Sequence, residues 1–114
     1  MLRVATYNIH RGVGGDHRRD PARTSAVIRA LAAGVVALQE VDSCHDGGRM
    51  QMDYLAGVTG YTAIPGPTLH EAGGQYGNVL LSAHPVAAVR TIDLTVPGLE
   101  PRGAIDADIQ LPGH

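Results

Sequence analysis

The chain has 114 residues, too few for more than one domain, and a globule of that size buries roughly 65% of the surface its unfolded chain exposes. With 44% hydrophobic and 18% charged residues, it lies far from the polar, highly charged composition of a disordered chain. Its nine cations are all arginine against eleven acids, and the net charge of −2 excludes a general electrostatic grip on nucleic acid or an anionic membrane, so any recognition of phosphate has to be local.

Phe and Trp are absent, so Val, Leu, Ile, Met and Ala have to carry the core. Cys44 is the single cysteine, which rules out a disulfide within the chain and fits a reducing compartment. No apolar run approaches the roughly 20 residues of a membrane span, and Met1 leads directly into a strand pattern with no signal-sequence layout. A cytoplasmic location without a membrane partner is expected.

In chain order, Leu2 to Ile9 is rich in strand formers and alternates, with Leu2, Val4 and Thr6 on one face and Arg3, Ala5 and Tyr7 on the other. The strand is expected to end near Asn8. Gly12 to Arg19 reads as a surface loop. Asp20-Pro21 then supplies a helix N-cap and a proline at the first helical position. Val27, Ile28 and Leu31 continue an apolar stripe at helical spacing, and Gly34 is placed to end the helix in a left-handed conformation. Val35-Val36-Ala37-Leu38 is a short unbroken apolar run, as in a strand covered on both faces.

Strand, helix, strand has a geometric consequence. Two strands joined by a crossover helix usually lie parallel, so their C-terminal ends finish at one edge of the sheet, where ligands of α/β proteins collect. Asn8 and Glu40 are thereby brought to a common edge. Beyond them, Asp42 to Gly48 reads as a polar loop and Met50 to Val58 as a second helix, with Met52, Leu55 and Val58 inward. Strand patterns follow at Tyr61 to Ile64, Gly77 to Ser82, Val86 to Val96 and Ala104 to Leu111, suggesting an antiparallel second half. Neither repeats nor a linker divides the chain.

Glu40 directly follows a buried apolar strand, where a carboxylate is costly unless paired or metal-bound, and carboxylate oxygen is what Mg²⁺ and Mn²⁺ prefer. Asn8 offers an amide that can hold a water, a phosphate oxygen or a carboxylate. Each has a plainer reading: Glu40 opening a loop toward water, Asn8 capping the turn into Gly12. Their placement on one edge is what raises them above it. The histidines at 17, 45, 70, 84 and 114 match no zinc-ligand spacing, and Gly12 to Gly15 lacks the Lys-Ser/Thr of a phosphate-binding P-loop.

Four segments carry a resemblance. Thr6-Tyr7-Asn8-Ile9-His10-Arg11-Gly12 resembles the opening motif of the endonuclease/exonuclease/phosphatase family, and Val36-Ala37-Leu38-Gln39-Glu40-Val41-Asp42 resembles its second. Tyr76-Gly77-Asn78-Val79-Leu80-Leu81-Ser82 with His84-Pro85-Val86, and Pro101-Arg102-Gly103-Ala104, are similar to later segments. The resemblance implies an α/β fold, the N-terminal half of a DNase I-like four-layer α/β/β/α sandwich, with a mixed sheet and two helices. It implies hydrolysis of a phosphoester substrate with Mg²⁺ or Mn²⁺ as cofactor. Asn8 and Glu40 would then be catalytic and Glu40 the metal ligand, with His10, Asn78 and Arg102 as substrate contacts. His10 could equally be a surface residue, and Arg102 a solvated loop arginine.

Two departures from the family pattern stand out. Ala83 occupies a place where relatives commonly have Arg. The later motifs, a Gly-Asp-x-Asn and a terminal Asp-His, have no counterpart, and Leu111-Pro112-Gly113-His114 is a turn signal pointing to a further strand. Residues 1–114 are therefore expected to be a single partial domain, truncated to about half of a complete enzyme and inactive alone. The alternative is a non-catalytic module of the same fold, self-associating or binding through the sheet face that a half-sandwich leaves uncovered. Nucleic acid is a possible substrate but is not indicated by charge.

Overall fold

The structure, a computed structural model, describes residues 2–42, 45–46, 49–71, 74–100 and 102–113. Cys44 and His114 lie outside them. The elements run β1 (Val4–Asn8), a 3₁₀ turn (His10–Gly12), α1 (Pro21–Leu31), β2 (Val35–Asp42), the two-residue strands β3 (His45–Asp46) and β4 (Arg49–Met50), α2 (Gln51–Thr59), β5 (Thr62–Glu71), β6 (Gly74–Ser82), β7 (Val86–Asp93) and β8 (Gly103–Ile109).

Helix α1 begins as its residue types dictate: the Asp20 carboxylate accepts the Arg23 amide at 3.2 Å, and Pro21 opens the first turn. Its end differs from the sequence expectation. Ala32, not Gly34, takes the left-handed conformation, at φ 48°. Gly34 is already committed to the sheet, where its N–H donates to the Arg3 carbonyl, and the His84 ring lies 2.9 Å from where a Cβ at Gly34 would stand. Glycine is needed there for close approach instead of for helix termination. The buried face of α1 is Thr24, Ser25 and Ile28, while Val27 is exposed.

The main sheet has the order β1-β2-β6-β5. β1 pairs parallel to β2 through the α1 crossover, with Val4 opposite Val35 and Asn8 opposite Gln39. β6 then adds antiparallel to β2, and β5 antiparallel to β6, so the sheet is mixed. Pro65 and Pro67 fall in β5, an edge strand, where a missing N–H donor is tolerated. The segment read as a loop, Asp42 to Gly48, contains β3; its partner β4 takes in Met50, read as the start of the second helix, which begins instead at Gln51. The last two strands form an antiparallel hairpin, β7 with β8, in a separate sheet.

Both helices lie on one face of the main sheet. Ile28 of α1 and Leu55 of α2 are fully buried against Val36, Leu38 and Val41 of β2 and Val79 and Leu81 of β6, with Ala5 and Tyr7 of β1 packed on the same cluster. Burial of side chains of this size contributes about 1.5–3 kcal/mol each, so an all-aliphatic core suffices. The β7–β8 hairpin covers part of the opposite face, with Ile105 packed against Gly66 of β5 and the Asn78 amide donating to the Gly103 carbonyl. Over β1 that face is open: Val4 is 62% exposed.

Candidate functional site

The site starts from an irregularity in β2. Leu38 pairs with Val79 and Val41 with Gly77, so Gln39 and Glu40 together oppose the single residue Asn78. This is a β-bulge. It turns Leu38 and Val41 to the same buried side and releases the two residues between them, with Glu40 in the left-handed region at φ 55°. Non-glycine residues held there store strain, which collects at functional sites.

Asn8 ends β1 directly opposite Gln39, on the face of β1 away from the helices, since Ala5 and Tyr7 pack against the core. Asn78 occupies the same face of β6, because Val79 beside it is buried in the core. Three neighbouring strands therefore deliver Asn8, Gln39 with Glu40, and Asn78 to one place. Gln39 is fixed by donating from Nε2 to the Thr6 hydroxyl at 2.9 Å.

After β1 the chain makes a turn of three successive left-handed residues, His10 (φ 50°), Arg11 (φ 57°) and Gly12 (φ 80°). The Asn8 Oδ1 accepts the His10 amide at 3.2 Å, so Asn8 caps this turn as the plainer reading expected. The turn folds His10 back until its Nδ1 stands 3.4 Å from Glu40 Oε2. Glu40 remains accessible, its side chain 36% exposed.

The structure thus brings Asn8, His10, Glu40 and Asn78 together, each with a defined partner. Arg102 is adjacent through its backbone, since the Gly103 carbonyl that receives the Asn78 amide follows it. Its guanidinium, however, pairs with Glu100 at 3.4 Å on the surface, and its N–H is held by the Thr95 hydroxyl. Two residues escaped the sequence reading. Gln39 stands between the two motif residues Asn8 and Glu40. Gln51, 1% exposed, donates to the Arg11 carbonyl at 3.2 Å, and its signal was its position one helical turn before Leu55 on the inward stripe.

Glu40 and the side-chain amides of Gln39 and Asn78 offer hard oxygen donors, the type that suits Mg²⁺ or Mn²⁺. Among the described residues no three His, Cys, Asp or Glu side chains converge.

The family model for the endonuclease/exonuclease/phosphatase family matches residues 5–110. The chain belongs to this family. It is 29% identical over 115 residues to the uncharacterized protein YbhP of Escherichia coli K12, with 91% of the chain and 45% of YbhP covered, and matches the Shigella flexneri YbhP equally. It superposes on an endonuclease/exonuclease/phosphatase from Beutenbergia cavernae with a TM-score of 0.80 and 33% identity, over 98% of this chain and 35% of that one. A family protein from Leptotrichia buccalis shares the fold at a TM-score of 0.72 and 17% identity, over 99% of this chain and 50% of that one.

The chain therefore spans less than half the length of the curated relatives it matches. The α/β fold with a mixed sheet and two helices is that of the endonuclease/exonuclease/phosphatase proteins. Proteins of this family are in general phosphoester hydrolases or nucleases and typically metal-dependent. Among the described residues no helix is long and apolar enough to cross a membrane.

Proposed function

We propose that this chain supplies one wall of the active site of a Mg²⁺- or Mn²⁺-dependent phosphoester hydrolase, with Glu40 as metal ligand. The observation carrying this reading is the convergence of Asn8, the bulged Glu40 and Asn78 from three adjacent strands, with His10 against Glu40.

A bound divalent cation would neutralise charge developing on the phosphoryl oxygens. Within the chain, Glu40 offers its carboxylate at the mouth of the bulge, and the Asn8 NH₂ donates toward a phosphate oxygen. His10, when protonated, adds a cationic donor on the same side; its Nδ1 contact with Glu40 aims the ring. Asn78 already spends its NH₂ on Gly103 and so fixes the substrate-side strand, leaving its carbonyl oxygen available. Arg102 would reach phosphate only after leaving Glu100. The groups that activate the attacking water are not among these residues, so the chain alone is expected to turn over no substrate.

The test is hydrolysis of a phosphoester panel (a nitrophenyl diester, a nitrophenyl monoester, a single-stranded oligonucleotide and a phospholipid) by the full-length protein that contains this segment. Glu40→Gln should lose at least about 10²-fold in kcat. Turnover within twofold of the parent would refute the assignment. The net charge of −2 favours a small phosphoester over nonspecific nucleic acid.

A second reading has its own support. Val4, Val89, Ile92, Leu94 and Val96 are exposed apolar side chains, and Leu2 is 43% exposed. We infer that the isolated chain self-associates through the open sheet face and the hairpin. Light scattering across a concentration series tests this, and a monomer throughout would sink it.

A further inference from the structure

The left-handed turn at residues 10 to 12 is held from two sides. On the strand side it is capped by the Asn8 side chain. On the helix side it meets Gln51, the first residue of α2, whose Nε2 donates to the Arg11 carbonyl and sits 2.3 Å from where a Cβ at Gly12 would stand. Gln51 is itself immobilised, because Leu55 one turn later is fully buried in the core.

Its polarity needs explaining. Gln51 is 1% exposed, and its Oε1 finds no partner among the described residues. A buried amide left half-satisfied costs stability that an apolar side chain of the same size would not. Such a residue persists where what it fixes matters more than the cost. What it fixes is a stretch of backbone in which two L-residues, His10 and Arg11, hold positive φ. Without the Gln51 grip the turn keeps the Asn8 cap and its backbone bonds, from the Gly12 N–H to the Ile9 carbonyl and from the Val13 N–H to the His10 carbonyl. Against these stands the strain of two L-residues at positive φ, whose relaxation would carry His10 away from Glu40.

Building on the hydrolase reading above, we propose that Gln51 is a positioning residue for the active site: by gripping the Arg11 carbonyl it holds the turn that sets His10 against Glu40. It touches neither substrate nor metal, and its influence passes through the backbone of residues 10 to 12.

The experiment pairs a structural readout on this chain with a kinetic one on the full-length protein. In isotope-labelled chain, the nuclear Overhauser contact between the His10 ring and the Glu40 side-chain methylenes should be present in the parent and fall several-fold in Gln51→Met, while the Ile28 and Leu55 methyl shifts stay in place. Should Gln51→Met fail to fold, Gln51→Leu, which also lacks a donor and fills less of the site, carries the same comparison. In the full-length protein the variant should lose about 10–100-fold in kcat with KM little changed. An undiminished His10 to Glu40 contact in the folded variant overturns the proposal, as does unchanged kcat beside a lost contact. If the full-length parent hydrolyses no phosphoester, the functional reading fails on its own, and the contact measurement still decides what Gln51 holds.

Discussion

Leu38 and Val41 stand three places apart in β2 and are both buried in the same core, an arrangement a regular strand forbids because its side chains alternate. The extra residue between them is what turns Glu40 out of the sheet and into a strained left-handed backbone.

That strain separates function from stability at one position. Glu40→Gly should be more stable than Glu40→Ala by about 1 kcal/mol, because glycine occupies φ 55° without a Cβ conflict. Neither variant should show a Mn²⁺-induced rise in melting temperature, which the parent chain should. Urea denaturation of the two variants and thermal melts with and without Mn²⁺ check both statements; equal stability would mean that the backbone there is not strained.

Gly12→Ala should be costly for two reasons acting together. The new Cβ would fall 2.3 Å from the Gln51 amide nitrogen, and φ is +80°. A loss of about 2 kcal/mol or more is expected by chemical denaturation. Gly12→Ala combined with Gln51→Ala should be less than additive, since removing the amide relieves the collision but not the backbone term.

These cases mark what could be read from the amino acids alone. Asp20-Pro21 declares its helix because capping is local chemistry, and the apolar run at Val35 to Leu38 declares its strand for the same reason. Asn8 and Glu40 could be placed on one edge because a crossover helix leaves little choice. The bulge could not be foreseen, since its cause is the opposition of two residues in β2 to Asn78, a residue of a strand that forms much later in the chain. Gly34 misled because a glycine after a helix signals its end, whereas this one serves the packing of His84. Gln51 was invisible because a glutamine at a helix start is polar on paper whether it faces water or a buried carbonyl.

The second layer should depend on one close contact. A Cβ at Gly66 would lie 2.4 Å from Ile105 Cγ1, so Gly66→Ala pushes the β7–β8 hairpin off the main sheet. The expected cost is about 1–3 kcal/mol, with Gly66→Ala/Ile105→Ala cheaper than the sum of the two single changes. Hydrogen exchange should show faster opening of β8 amides than of β2 amides in Gly66→Ala. Uniform protection would contradict the layered arrangement.

The hairpin also carries an acid-sensitive element. Arg90 Nε bonds the Asp106 carboxylate at 2.9 Å, and this hydrogen bond with its attendant attraction holds Asp106 below the ordinary carboxylate value of 3.8. A group whose folded value is depressed stabilises the fold above its unfolded value and loses that contribution as pH falls through the folded one. Arg90→Ala should therefore lower the melting temperature slightly at neutral pH, and the gap from the parent should close as pH falls below the ordinary carboxylate range and Asp106 takes up its proton. A gap independent of pH would show the pair to be irrelevant to stability.

The place of β2 in the sheet has a consequence for how the molecule comes into being. Its neighbours are β1, reached through one helix, and β6, which begins at Gly74, so this central strand cannot be enclosed until the chain has been synthesised as far as Ser82. Until then Val35-Val36-Ala37-Leu38 presents an unsheltered β-forming edge, and the nascent polypeptide is most prone to clumping. Sheet pairings so distant in sequence also favour acquisition of the native state in milliseconds to seconds over microseconds.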